Sequence, residues 1–275
     1  MDCHRSVRMD LMSSREVQKY LRRNDMVILP VGCFEMHGPD IPLACDALVA
    51  WATAILLAES WKCLALPPVY YTFPGATGPW PGTVDLPISV TQSYVAGIVE
   101  ALVKNGFKRV VIQCAHAPLR WTLECVVRDV FQRTGVVAIL LGGKAMGRGD
   151  LVKKALGFPG GEDVSVLGAL KVLGLHGAYD PSSKVSRPGG SPFASLRKLT
   201  ELGAAPPWTY SRDYQHTGIR RELKLGHADA IARIMRESVK NLRDLPRTFA
   251  RYQREVKKLY RQKPWSRSSV WTRTK

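Results

Sequence analysis

Short apolar runs alternate along this chain with longer stretches in which apolar residues recur every three or four positions. The run MVILPV, closed by Gly32, is too short for a helix and has no polar side, so it predicts a strand buried on both faces. FKRVVIQC and VVAILLGG read the same way. Helical spacings lie around and between them. Ser13, followed three residues later by Glu16, predicts a capping box that opens a helix through VQKYLRRN. DALVAWATAILLAES has Asp46 at or near its N-cap, and VTQSYVAGIVEALVKNG closes on Asn105 and Gly106. PLRWTLECVVRDVFQRTG carries Pro118 in its first turn and Gly135 at its end, while CLALPPVYYTF reads as extended. From about Gly142 to Tyr214 the pattern weakens into Gly-, Pro- and Ser-rich loops around one clear helix, VSVLGALKVLG, and this stretch is expected to wall a pocket. Helices alternating with fully apolar strands predict an α/β fold, a single-domain three-layer α/β/α arrangement with a mostly parallel central sheet. Ligands in such folds sit beyond the carboxyl ends of the strands. The loops after MVILPV and FKRVVIQC are therefore where chemistry is expected.

Composition changes this picture only at the ends. At 275 residues, 45% hydrophobic and 23% charged, the chain suits an ordinary globular domain. No run approaches the roughly 18–20 apolar residues of a membrane span. The N-terminal stretch mixes charges and has no apolar core of a signal peptide, and six scattered cysteines form no C-x-x-C pair, so a reducing, cytoplasmic setting is expected. The formal charge of +17 is unevenly placed: from Arg247 to Lys275 there are ten Lys or Arg and one acid, about half of the excess. This divides the chain into residues 1–245, the body, and 246–275, a basic helix end and tail. Such a tail can contact nucleic-acid phosphates. A solvated helix face is the simpler account, because no RRM, KH or helix-turn-helix pattern accompanies it.

Candidate chemistry gathers in the expected loops. Glu35 and His37 lie two apart on the first, Asp46 opens the following helix, and His116 sits on the second. Mixed imidazole and carboxylate donors suit zinc, manganese or iron, and a two-oxygen aspartate can bridge a pair of ions, so one or two divalent ions are feasible. By spacing alone, an E-x-H pair is equally at home as a loop histidine bonded to backbone. Cys33, Cys45 and Cys114 flank the proposed ligands and read mainly as packing residues, with a thiol near the metal as the alternative.

The run LPVGCFEMHGPDIPLACD resembles the signature of the creatininase family, approximately P-V-G-x-x-E-x-H-G-P-H-L-P-L-x-x-D. WPGTVDL resembles the family's F-P-G-T-I-x-L, and NGFKRVVIQCAHAPL its G-F-x-x-I-V-I-V-N-G-H-G-G-N, in the same order over about residues 26–125. The resemblance implies a creatininase-like fold, with Glu35 and His116 as ligands of one metal, His37 as a ligand of the other and Asp46 as the bridge. Three departures stand out. Asp40 replaces the second histidine of H-G-P-H, and Pro118 stands where creatininase places a glutamate ligand. The family's H-A-G-E-x-E-T-S has become FPGGEDVSV, which leaves Glu162 on the first glutamate, Pro159 on the histidine and Val164 on the second glutamate. These losses argue against creatinine as substrate.

The resemblance implies hydrolysis of a C–N bond in a small cyclic amide or formamide. Opening of a cyclic ketone such as a dehydro-inosose by C–C hydrolysis comes second. A catalytically degenerate scaffold that keeps the fold and uses the basic tail is the third reading. Glu162 leads as the acid–base group, with Asp40, Asp163 and His216 in reserve, although an acid at position 162 also favours the start of the next helix. Backbone around Pro81, Gly82 and Thr83 is a candidate for substrate binding, with a simple turn as the alternative. Family resemblance further implies a closed homo-oligomer, commonly a hexamer, acting on a small-molecule substrate.

Overall fold

Apolar runs with polar flanks put four strands side by side in the computed structural model, which describes residues 4–38, 40–143, 148–181, 193–207 and 222–261. Strands β1 (Met26–Val31), β2 (Leu64–Ala65), β3 (Arg109–Cys114) and β4 (Ile139–Gly142) form one parallel sheet in the order β2-β1-β3-β4. Every residue of β1 is buried. Met26 and Ile28 point into one apolar core, while Val27, Leu29 and Val31 point into another on the opposite face. This two-residue alternation is why the run carries no polar position.

Helices cover both faces. Helices α2 (Cys45–Trp61), α6 (Glu162–Val172) and α8 (Ala228–Val239) pack together on one side, with α5 (Arg148–Leu156) against α8. Helices α3 (Ile88–Lys104) and α4 (Arg120–Thr134) pack on the other, where α1 (Ser14–Leu21) adds Val17, Tyr20 and Leu21. Helix α2 is apolar nearly all round because it is enclosed by the sheet, α6 and α8. Each fully buried Leu or Ile there stabilises the fold by about 1.5–3 kcal/mol.

Local signals place most of these ends. The Ser13 side chain accepts from the amide of Glu16, whose carboxylate accepts from the amide of Ser13, completing the expected capping box. Helix α1 stops at Leu21, sooner than the sequence suggests. The N-cap of α2 is Ala44, and Asp46 lies in the first turn. The loop-rich stretch also contains two helices that the apolar pattern does not announce, α5 and α7 (Ala194–Glu201). Both are short, and α7 buries no residue, so neither imposes a helical spacing on its apolar positions. Helix α9 (Leu245–Arg261) follows α8. Residues 262–275 and His216 lie outside the described residues.

The connections fix where a site can form. From β1 the chain crosses by α2 to β2 on one side, then by α3 to β3 on the other. The reversal leaves a crevice between the carboxyl ends of β1 and β3, the switch point at which open parallel sheets bind ligands. Gly32 enters this crevice. A Cβ there would lie 2.2 Å from the backbone nitrogen of Ala47, so only glycine lets the end of β1 touch the first turn of α2.

Candidate metal centre

Val31 pairs with Cys114 across β1 and β3, so the residues that follow each strand emerge next to one another. The first loop is pinned by backbone. The Glu35 amide donates to Leu43 (2.9 Å), the Val84 amide donates to Phe34 (3.0 Å), and the Thr83 hydroxyl accepts from the Met36 amide (3.0 Å). Thr83's own amide closes a turn onto Trp80 at 3.2 Å, with Gly82 at φ +85°. The Pro81–Gly82–Thr83 segment thus braces the ligand loop, with Pro81 and Gly82 exposed.

All four sequence-predicted ligands converge, and all four are buried. His37 Nδ1 donates to the Glu35 carbonyl at 3.0 Å, which fixes its tautomer and turns Nε2 toward Asp46 Oδ2, 3.5 Å away. His116 Nδ1 lies 2.7 Å from Asp46 Oδ2 and 3.1 Å from Glu35 Oε1. Asp46 Oδ2 therefore lies against both imidazoles. Thr77, on a loop the sequence reading passed over, donates to the other oxygen of Glu35 and is itself buried.

Electrostatics follow from this crowding. Burial alone would lower the pKa of each imidazole, but Asp46 outweighs it, aided by Glu35. His37 is pushed up to about 9 and His116 to about 10. Burial would raise Asp46, yet His37 and His116 hold it well below the carboxylate range. Burial and the nearby carboxylates of Glu35 and Asp46 push the Cys33 thiol up.

The donors also fit a divalent ion. The one Nδ1 proton of His116 serves Asp46, so buried Glu35 Oε1 has no hydrogen-bond donor and buried His116 Nε2 has no partner among the described residues. Leaving such atoms unsatisfied is costly, and a cation in place of the His116 Nδ1 proton would meet Glu35 Oε1 and Asp46 Oδ2 together. Two sets of donor atoms, Cys33–Glu35–His116 and His37–Cys45–Asp46, each lie within 4.8 Å of one another.

Around this core the later part of the chain supplies a polar wall. Glu162 begins α6 half-buried, its carbonyl accepts from Cys45 Sγ at 3.8 Å, and its charge acts on His37. Asp163 is fully buried beside it. Tyr179 was not anticipated from the sequence. Its hydroxyl, 5% exposed as a residue, has no hydrogen-bond partner among the described residues, and neither has Asp40 Oδ2. Burial, then the charges of Asp163 and Asp40, hold the Tyr179 hydroxyl above its ordinary range. No local motif marks Tyr179; only the fold brings it here.

A parallel α/β sheet with carboxylate and imidazole donors at its switch point defines the class: an α/β protein with a buried cluster of potential metal ligands where its strand order reverses. The chain belongs to the creatininase family, since the family model for creatinine amidohydrolase matches residues 10–231. It is 26% identical over 106 residues to a 3-dehydro-scyllo-inosose hydrolase of Thermotoga maritima, covering 38% of this chain and 34% of that protein. It is 27% identical over 118 residues to a creatinine amidohydrolase of Pseudomonas putida, covering 41% and 45%. A mycofactocin precursor peptide peptidase of Mycolicibacterium smegmatis matches at 37% over 67 residues, 22% of this chain and 27% of that one. The matched segment thus spans less than half of each of these relatives. Among solved structures, a putative creatinine amidohydrolase from Bacteroides fragilis superposes with a TM-score of 0.68 at 19% identity, covering 90% of this chain and 97% of that one. A manganese form of creatininase gives 0.62 at 18% identity, covering 88% and 98%. These likenesses establish the fold.

Proposed function

We propose that this chain is a divalent-metal hydrolase that cleaves the C–N bond of a small polar amide, cyclic amide or formamide. The observation that carries the reading is the convergence of Glu35, His37, Asp46 and His116, from three separate segments, on one buried point with unsatisfied donor atoms. These residues would hold one or two ions, zinc, manganese or iron, whose Lewis acidity polarises a carbonyl and acidifies water. Thr77 and the Glu35 carbonyl orient the donors. Glu162, whose charge reaches His37, takes a proton from the attacking water and returns it to the leaving nitrogen. Asp40 and Tyr179 offer a hydrogen-bond acceptor and a hydroxyl to the substrate's polar groups. Asp40 where a histidine was expected is consistent with a substrate other than creatinine.

The first relative named above favours a second reading, ring opening of a cyclic ketone by C–C hydrolysis, which the same donor set would support. Assay against a panel of lactams, formamides and cyclic ketones separates the two. Metal analysis separates both from a scaffold: about one to two ions per chain, lost in Glu35→Ala or His116→Ala, are expected of the enzyme. Glu162→Gln should keep the ion and lose about 10²–10⁴ in kcat. Full activity in that variant removes Glu162 from the mechanism. A closed homo-oligomer is part of the same proposal. Ile88, Val90 and Tyr94 in the first two turns of α3 and Trp121 in the first turn of α4 are exposed apolar side chains that a second subunit would cover. Sedimentation as a monomer would reject it.

A further inference from the structure

We propose that Cys33 and Cys45 are metal ligands, one thiolate for each ion of a binuclear centre, so that this chain builds a sulfur-containing, zinc-preferring version of its site. The inference rests on the reading that Glu35, His37, Asp46 and His116 bind metal.

Five cysteines are described, all free thiols, and they differ in what surrounds them. Cys63 is buried away from the site, Cys125 is exposed, and Cys114 donates to the His116 carbonyl at 3.2 Å. Cys33 and Cys45 alone among these five join imidazole and carboxylate atoms in the two compact donor sets. Both are essentially inaccessible to solvent. Cys33 Sγ lies 4.0 Å from the Thr72 carbonyl and also meets the Phe34 backbone amide, while Cys45 Sγ lies 3.8 Å from the Glu162 carbonyl; both contacts to carbonyls are long. The unsatisfied atoms Glu35 Oε1 and His116 Nε2 belong to residues of the first set.

Charge decides between ligand and filler. With Glu35 and Asp46 as the sole anionic donors, two divalent ions would leave two positive units on the donor set, which the charge of Glu162 beside His37 offsets only in part, and the loop after β3 adds no carboxylate, since Ala115, Ala117 and Pro118 surround His116. Buried net charge is strongly unfavourable. A thiolate in each set brings each ion to neutrality with one sulfur, one carboxylate and one imidazole. Each S–H gives its proton to bulk water as the sulfur–metal bond forms. Three protein donors per ion also leave a coordination position for substrate or water. Thiolates favour zinc or cobalt over manganese.

The test loads the full-length protein with Co²⁺ and follows bound cobalt by elemental analysis and the near-ultraviolet thiolate-to-cobalt charge-transfer band by absorption. The band is expected in the wild type, about half as strong in Cys33→Ser and in Cys45→Ser, and absent from the double variant, with Cys114→Ser unchanged. X-ray absorption of the zinc-loaded wild type, which needs no variant to fold, should show sulfur scatterers at about 2.3 Å. Bound metal with only nitrogen and oxygen neighbours overturns the thiolate proposal and leaves the metal centre standing. No bound metal at all overturns the centre, and the proposal with it.

Discussion

Thr77 shows how a single side chain outside the ligand set can govern the site. It bonds the Glu35 oxygen that faces away from His116, and it does so from a position 42 residues further along the chain. Removing such an orienting bond leaves the ligand free to rotate, at a typical cost of about 10–100-fold in metal affinity. Thr77→Val, which keeps the shape and deletes the hydroxyl, is expected to weaken zinc binding by about that factor in a competition titration with a chelating dye. Unchanged affinity would mean that packing alone orients Glu35. A second residue-scale prediction concerns stability. His4 lies 2.5 Å from Glu59 on α2 and 3.0 Å from the Val172 carbonyl on α6, and the Glu59 bond raises its pKa above the ordinary value despite partial burial. A raised pKa means the folded state binds the proton more tightly, so the stabilisation is complete below the unfolded value of about 6.5. It is lost as pH rises through the folded value. Thermal melts of His4→Ala and wild type should therefore differ most in mildly acidic buffer and converge at alkaline pH; a gap that widens with pH contradicts this.

Among the elements, the contact between β1 and α2 sets the geometry of everything around it. Asp46 reaches both histidines because the first turn of α2 rests directly on Gly32. Gly32→Ala drives a methyl group into the backbone of Asp46 and Ala47, which cannot swing aside as the end of a flexible side chain would. The expected outcome is a loss of stability at or above the roughly 1–3 kcal/mol of ordinary overpacking, together with loss of bound metal. Urea unfolding and metal analysis on the same variant check both. Wild-type metal content at wild-type stability would show that the contact is dispensable. The helical elements were legible where burial is continuous. Helix α2 is apolar on almost every side because it is enclosed, and β1 has no polar position because both its faces are covered. Helices α5 and α7 were not legible, since a helix that buries few side chains leaves little trace in the apolar pattern.

At the scale of the whole molecule, the basic C-terminal region divides into a docked part and a part outside the described residues. Phe249 of α9 is buried, Gln253 donates to the carbonyls of Lys108 and Val137, and Tyr260 meets the ring of Phe131 edge-on at 5.2 Å. Lys108 and Val137 precede β3 and β4, so α9 sits at the end of the sheet opposite the cluster of Glu35, His37, Asp46 and His116. Arg251, Arg254, Lys257 and Lys258 remain exposed on it. We expect Phe249→Ala to cost about 3–5 kcal/mol in thermal unfolding, whereas glutamine at the four exposed bases should leave stability nearly unchanged. Retention of the wild type on immobilised DNA that disappears in the glutamine variant would assign those charges to nucleic acid; equal, weak retention of both would leave them a solvated face. No described helix is long and apolar enough to cross a membrane.

By itself the sequence determined the alternation of strands and helices and the strand-end loops on which Glu35, His37 and His116 stand, with Asp46 opening the next helix, because burial periodicity and strand-end position are local properties of a chain; the ligand roles of these four came from the family resemblance. The tertiary structure alone decided that Asp46 meets two imidazoles, that Thr77 holds Glu35, that Tyr179 is buried where the charges of Asp163 and Asp40 reach it and that Cys33 and Cys45 join separate donor sets. Those are relations between segments far apart in the chain, set by the reversal of strand order at β1 and β3, and no spacing within a single segment encodes them.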